Sequence, residues 1–287
     1  MIEPQSFQDV ILGWGLPRLR DLPWRRTRDP WAIMVSELML QQTQVSRVVP
    51  KYLDFLALYP TPEACAAVSS GDIVRAWAGL GYNRRAVNLH RAAVAIVEAG
   101  SFPSTLAGLL GLPGVGPYTA RAILAFAYEA DVAVVDTNIA RVLARVCGGS
   151  LTASQVQGSA DALVPAGEGW AWNQALMELG ATVCTARSWS CDECPVRQSC
   201  AWKGGADGAP DPAIGSAGVS GGQSRFAGSD RQGRGRLVDA LRSGSITHSA
   251  LPMIMGWPHD RDRAKRVAAT LVRDELIVLD GDSYRLP

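Results

Sequence analysis

The stretch that most limits this chain is residues 111–121, Gly-Leu-Pro-Gly-Val-Gly-Pro-Tyr-Thr-Ala-Arg. It reads as a tight hairpin between a helix over 105–110 and a second helix beginning near Pro117. Gly114 and Gly116 bracket one apolar residue; glycine permits positive φ and lets another backbone approach where a Cβ would intrude. Pro117 suits the first turn of a helix, where an N–H has no intrahelical use. The N–H groups of Val115 and Gly116 are then expected to point outward together, as helix N-termini do when they hold phosphate. A dinucleotide fingerprint would need a third glycine and a preceding strand. A nucleotide-triphosphate loop would need Gly-Lys-Ser/Thr, and here Gly116 is followed by Pro117 and Tyr118. What remains is a hairpin that either turns a plain corner or grips a phosphate.

With 287 residues, 47% hydrophobic and 19% charged, the chain has room for one large or two modest domains around a sizeable core. The net charge of +1 does not advertise nucleic acid, but basic residues cluster in Arg25-Arg26-Thr27-Arg28, in Arg84-Arg85 and from Arg231 to Arg236. Local patches matter more than the total for phosphate contact. No apolar run approaches a membrane span and no signal-peptide pattern opens the chain, so a cytosolic protein without a membrane partner is expected. Six cysteines then read as metal ligands or buried thiols rather than disulfides.

In chain order, residues 5–16 read as a short helix capped by a serine, followed by a turn at Asp21-Leu-Pro-Trp-Arg. Pro30 to about Leu58 is helical, with Ile33, Met34, Leu38, Met39, Leu40, Val45, Val48 and Val49 on a broad apolar face. Residues 62–78 and 84–99 read as two more helices joined by Gly79-Leu-Gly-Tyr-Asn. Tyr82, beside Arg84 and Arg85, suits stacking on or clamping a nucleic-acid backbone, or simply packing. Helix 117–128 is apolar on most faces and therefore central.

Two carboxylates stand out. Glu37 projects from the apolar stripe rather than a wet side, and desolvation raises a carboxyl pKa, which suits a general acid; a buried structural glutamate is the alternative. Asp136 follows the apolar run Val132 to Val135 and opens a helix, where helix N–H groups favour the ionised form. Capping is the commonest reason for such an aspartate. The two pKa values are expected to be pushed apart, as for an acid and an electrostatic or nucleophilic partner.

Helix 170–183 leads into Cys184, and Cys191, Cys194 and Cys200 complete a Cys-x6-Cys-x2-Cys-x5-Cys array. Four thiols this close bind zinc or an iron–sulfur cluster, and a compact single run suits one cubane. Cys65 and Cys147 read as small buried residues. Residues 204–230, rich in Gly, Ser, Ala and Pro, read as a flexible linker. Residues 231–287 read as a separate unit with helices near 234–243, 247–255 and 260–274 and two short strands around Asp280-Gly-Asp. Three helices and a hairpin resemble a winged helix, which binds DNA or a protein partner.

Taken together, Ser36-Glu-Leu-Met-Leu-Gln-Gln-Thr-Gln-Val, Gly79-Leu-Gly-Tyr, Leu112-Pro-Gly-Val-Gly-Pro-Tyr-Thr-Ala, Val135-Asp-Thr-Asn and the cysteine array resemble the MutY-type adenine DNA glycosylases of the helix-hairpin-helix superfamily. The match covers about residues 20–203. It implies a mainly α fold, with two helical subdomains and a [4Fe–4S] loop over residues 1–203, then the linker and the winged-helix-like unit. It implies a monomeric, cytoplasmic, nucleoid-associated enzyme of base excision repair acting on double-stranded DNA that contains a mispaired adenine. By the same resemblance Glu37 protonates the adenine at N7, Asp136 stabilises the sugar cation, and Tyr118 and Asn138 orient these groups. Trp24, Arg25 and Gln174 line the adenine pocket, Gln42 wedges into the stack, Tyr82 packs in the duplex, and Gly114 and Gly116 meet a phosphate. Cys184, Cys191, Cys194 and Cys200 hold the cluster, in a basic loop around Arg187 and Arg197. Tyr118 stands where related bifunctional enzymes carry a Schiff-base lysine, so base removal without strand cleavage is expected. Many family members also carry a C-terminal nucleotide-hydrolase-like domain that checks for 8-oxoguanine. The last unit here is shorter and patterned differently, and Asn83 replaces a common aromatic, which leaves that recognition either absent or carried by Gln42 and its neighbours. The rival readings are a thymine or uracil mismatch glycosylase and a non-catalytic iron–sulfur DNA-binding protein.

Overall fold

The computed structural model describes residues 4–205, 208–219 and 225–287. The helices are α1 (Pro4–Gly15), α2 (Pro30–Leu40), α3 (Val45–Leu58), α4 (Pro62–Ala66), α5 (Ser70–Ala76), α6 (Arg84–Ala99) and α7 (Leu106–Leu110). They continue with α8 (Pro117–Ala127), α9 (Thr137–Cys147), α10 (Ala153–Asp161), α11 (Gly169–Thr182), α12 (Asp230–Leu241), α13 (Leu251–Met255) and α14 (Arg261–Arg273). Three short strands, β1 (Ile246–Thr247), β2 (Val278–Asp280) and β3 (Ser283–Arg285), complete the elements. Among the described residues no helix is long and apolar enough to cross a membrane.

The chain divides into two compact units. One comprises residues 1–30, 104–106 and 116–222. Its core forms where α1 and α9 pack on α11, with Phe7 and Ile11 meeting Leu143, Trp172 and Leu176. Phe7 sets its ring edge-on to Trp172 at 6.1 Å, an arrangement favoured by the ring quadrupoles. Asp136 caps α9, and a reciprocal Thr152–Gln155 box caps α10. Such a cap contributes about 1 kcal/mol. Helix α1 begins at Pro4, so Ser6 lies inside it rather than capping it.

The other unit comprises residues 31–103, 107–115 and 223–287. Every residue of α2 from Trp31 to Met39 is buried, so this helix has no wet side; an all-round apolar helix belongs inside a protein. The helix expected to run unbroken over 30–58 stops at Leu40, because Gln42 turns left-handed (φ 56°) before Gln44 opens α3. The helix expected over 62–78 also divides, since Ser69 starts α5 with a capping box to Asp72.

The C-terminal residues form three helices and an antiparallel sheet of order β1-β3-β2, in which Leu279 and Ile246 both stand opposite Tyr284. This is the winged-helix arrangement. The helix expected over 247–255 is shorter, preceded by β1 and a single 3-10 turn. The segment packs on the rest of its compact unit. Arg242 donates to the Val74 carbonyl at 3.2 Å and to Asn83 Oδ1 at 3.0 Å, and Gly71 lies against the chain end at Pro287.

The expected linker is likewise ordered where it is described. Asp211 is ion-paired to the buried Arg145 at 2.7 Å, Ala217 N–H donates to the Leu151 carbonyl at 2.9 Å, and Ala213 and Ser216 are buried. Small residues can pack as closely as they can flex, and composition does not distinguish the two. Residues 206–207 and 220–224 of that stretch lie outside the described residues.

Candidate active site

Asp136 is fixed twice over. Its Oδ1 accepts from the Ile139 N–H at 2.7 Å and its Oδ2 from Asn138 Nδ2 at 2.7 Å. Burial nevertheless pushes its pKa upward against those hydrogen bonds, the reverse of the expectation from helix capping alone. Asn138 is held in turn by Arg141, whose Nη2 reaches Asn138 Oδ1 at 2.8 Å and the Gly180 carbonyl at 2.6 Å, while Nε reaches the Cys184 carbonyl at 2.8 Å. A Cβ on Gly180 would come within 2.6 Å of the Asn138 Cβ, so only glycine lets α11 approach α9 this closely. Asp136, Asn138, Arg141 and the start of the cysteine loop therefore form one hydrogen-bonded series.

A second cluster in the same unit gathers expected pocket residues. Arg25 follows the buried Trp24 in a 3-10 turn, with Nε on Gln174 Oε1 at 2.7 Å and Nη2 on Glu178 Oε2 at 2.9 Å. Arg20 takes the other oxygen of Glu178 at 2.6 Å. Gln174 and Glu178 are buried one turn apart on α11. Burial lowers the Arg25 pKa, opposed by the Glu178 carboxylate. Tyr118 stands half-buried in the first turn of α8, and Arg121 on the same helix is engaged by Asp161 at 2.8 Å.

In the other unit Glu37 is buried within α2. The neighbouring loops carry two left-handed non-glycine residues, Gln42 at φ 56° and Tyr82 at φ 47°; such residues cost about 1–3 kcal/mol each and persist only where their surroundings hold them. Arg85 does the holding. Its Nη1 donates to the carbonyls of Leu38, Met39 and Gln41 at 2.6–2.9 Å, and its Nη2 to those of Leu80 and Gly81 at 3.2 and 3.1 Å. The expectation that Arg85 faces a nucleic-acid backbone is therefore corrected: it is buried and turned inward, whereas Arg84 stays exposed. Gly114 (φ 80°) sits where a Cβ would meet Asn88 at 2.6 Å. Gly116, at φ −94° with open space at its Cβ position, adopts backbone that any residue could. The Val115 N–H is taken by the Leu112 carbonyl at 3.1 Å, which removes it from the expected phosphate donors.

Cys184, Cys191, Cys194 and Cys200 line one cavity with Val142, Val183 and Val196. Among the described residues no three side chains of His, Cys, Asp or Glu converge as ligands for a single ion. Arg145 donates to Cys184 Sγ at 3.3 Å and lies over the Trp189 and Trp202 rings. Arg197 in the loop pairs with Asp192. Cys65 is buried, as expected, with its thiol pushed up to about 12 by burial. Cys147 is exposed instead, because it ends α9 just before Gly148 turns the chain left-handed.

Residues 35–165 match the sequence profile of the HhH-GPD superfamily of base excision DNA repair proteins. The adenine DNA glycosylase of Mycobacterium tuberculosis is 41% identical over 99% of this chain and 95% of its own length. This chain belongs to the adenine DNA glycosylase family. The human adenine DNA glycosylase is 41% identical over 69% of the chain and 39% of its own length. A thermostable thymine-DNA glycosylase superposes with a TM-score of 0.65 at 30% identity, covering 70% of this chain and 96% of that one.

Two residues of this glycosylase, Glu178 and Arg141, escaped the sequence reading, as did the inward role of Arg85. Glu178 had a usable signal, since it falls one turn after Gln174 on an otherwise apolar helix and so had to meet a partner. Arg141 and Arg85 had none, because each also holds main-chain carbonyls distant in sequence, those of Gly180 and Cys184 for Arg141 and those of Leu38, Met39 and Gln41 for Arg85.

Proposed function

We propose that this glycosylase removes adenine mispaired with 8-oxoguanine or guanine, by hydrolysis of the N-glycosidic bond without strand cleavage. Flipping the nucleotide costs roughly a few kcal/mol of unstacking. Glu37 gives its proton to N7 so that the base leaves neutral, and the ionised Asp136 stabilises the cationic sugar or bonds to it transiently. Asn138, locked by Arg141, keeps the Asp136 carboxyl aimed, and Tyr118 orders the site beside it. Arg25 and Gln174, backed by Glu178 and flanked by Trp24, form the polar wall that reads the base. Gln42 wedges into the stack, Tyr82 packs against the duplex, and Gly114 and Gly116 bring main chain to a phosphate. Tyr118 has no amine, and the Arg121 guanidinium is a poor nucleophile that is already engaged by Asp161; neither suits Schiff-base chemistry.

The cysteines fit an iron–sulfur cluster in that four thiols line one cavity walled by apolar side chains. Cys184, Cys191, Cys194 and Cys200 would hold it, and when bound it would brace the loop rather than do chemistry.

The observation that carries this reading is Asp136, a half-buried residue whose carboxyl oxygens are held by the Ile139 N–H and the Asn138 amide. Single-turnover excision on duplexes with A opposite 8-oxoguanine, A opposite G, T opposite G and U opposite G tests it. The first two should be processed; activity confined to the pyrimidines would transfer the chain to the thymine and uracil enzymes.

A further inference from the structure

The basic run from Arg231 to Arg236 is not used by the excision reading. In the structure Arg231 and Arg234 lie on α12 and Arg242 just past its end. Their spacing puts all three on one face of the helix, together with Gly235. That face is one wall of a groove of about 760 Å³, and the opposite wall is the wedge region of Gln41, Gln42, Arg47, Tyr82 and Arg84. Besides the inward-turned Arg85, five arginines line the groove against a single acidic residue, Asp239. Asp239 pairs with Arg242, and one further carboxylate, Asp274, serves both Arg234 and Arg84. The positive charge is therefore only partly neutralised. Gly235 adds an independent sign. It stands mid-helix, where glycine is destabilising, yet a Cβ there would meet nothing within 4 Å. Packing does not require the glycine, and its smallness leaves the α12 main chain open to close approach.

We propose that this groove binds the sugar–phosphate backbone of duplex DNA beside the wedge, so that the C-terminal winged-helix segment is a second DNA clamp within the wedge-bearing unit. The inference rests on the reading of Gln42 and Tyr82 as duplex contacts. Charge complementarity names the occupant: a polyanion whose phosphates recur along the groove, where each arginine that neutralises one adds to the salt dependence of binding.

The test uses the full chain and two duplexes, one undamaged and one with adenine opposite 8-oxoguanine. Gly235→Glu places a carboxylate in the middle of the groove without a clash and in a residue that favours helix, so thermal stability should hold or rise. Affinity for both duplexes should fall about tenfold, and the slope of log K against log salt should become shallower by about one, near the loss of one phosphate contact. Single-turnover excision at saturating protein should be unchanged. Gly235→Ala should bind as the parent does, and Arg231→Gln should flatten the salt slope. Replacing Lys265 and Arg266, which lie on α14 outside the groove, should matter far less. Unchanged affinity and slope in Gly235→Glu would overturn the clamp, as would an equal loss in Gly235→Ala or in the α14 pair. Adenine excision with unaffected Gly235→Glu binding sinks the clamp alone, whereas weakened binding with pyrimidine-only excision sinks the substrate reading alone.

Discussion

Two buried arginines, one in each unit, secure the groups that matter here, and they do so by opposite means. Arg145 beneath the cysteine loop is neutralised by a carboxylate, Asp211, at 2.7 Å. Arg85 beneath the loops of Gln42 and Tyr82 meets main-chain carbonyls and the Thr43 hydroxyl, and burial pushes its pKa down to about 10, still well above neutral. A carboxylate partner satisfies charge and fixes one point. A fan of carbonyls fixes several strands of backbone at once, and so can hold Gln42 and Tyr82 in conformations their own side chains disfavour. The first device braces a loop; the second shapes one.

Changing the chemistry rather than the scaffold gives the largest effect. Asp136→Asn keeps the cap geometry and should lower single-turnover excision by about a thousandfold, the scale of losing a preorganised electrostatic contact, with duplex affinity retained in a binding assay. On the proposed assignment Asp136 works ionised, and burial raises its pKa, so excision should fail as pH drops through a value above the usual carboxylate range near 4. A pH–rate profile whose acid limb lies at or below that value would refute the assignment.

Arg85→Ala should cost more stability than any loop substitution, about 3 kcal/mol, because several buried carbonyls lose their donor together. Denaturant unfolding reads that loss. Arg85→Lys should recover little of it, since one ammonium cannot span both loops; full recovery would reduce Arg85 to a mere charge. Asp211→Ala, which strands the buried Arg145, should also cost about 3 kcal/mol at neutral pH. Burial raises the Asp211 pKa, but hydrogen bonds from Arg145 and the Ala213 N–H, with the charges of Arg145 and Arg141, together hold it below its ordinary value. Its stabilisation is therefore present above the ordinary carboxylate range and disappears as pH falls through the lowered pKa. The gap between parent and variant melting temperatures should close in acid, and a constant gap would mean that packing rather than charge is at stake.

Gly180→Ala should give the smallest effect, about 1–3 kcal/mol of overpacking, with excision reduced further than stability because the intruding methyl meets Asn138. An equal loss in both would show that Asn138 positions nothing.

The pattern of what was legible follows interaction range. Asp136 was readable as a cap and Glu37 as a buried carboxyl, because neighbours within one or two helical turns set both. The hairpin at 112–117 was readable for the same reason, although Val115 gives its N–H to Leu112. The inward turn of Arg85, the ordered stretch from Asp211 to Ala217 and the docking of the C-terminal helices were not, because each depends on partners far along the chain.

The sequence by itself determined where most helical segments lie, the cysteine array and the residue types able to protonate a base and stabilise a cation, since local spacing and side-chain chemistry suffice for these. Only the tertiary structure decided which arginines face inward, that burial lifts the Asp136 pKa, and that residues 231–287 join the unit bearing Gln42 and Tyr82. Desolvation and long-range hydrogen bonding are properties of the packed interior, and no window of sequence contains it.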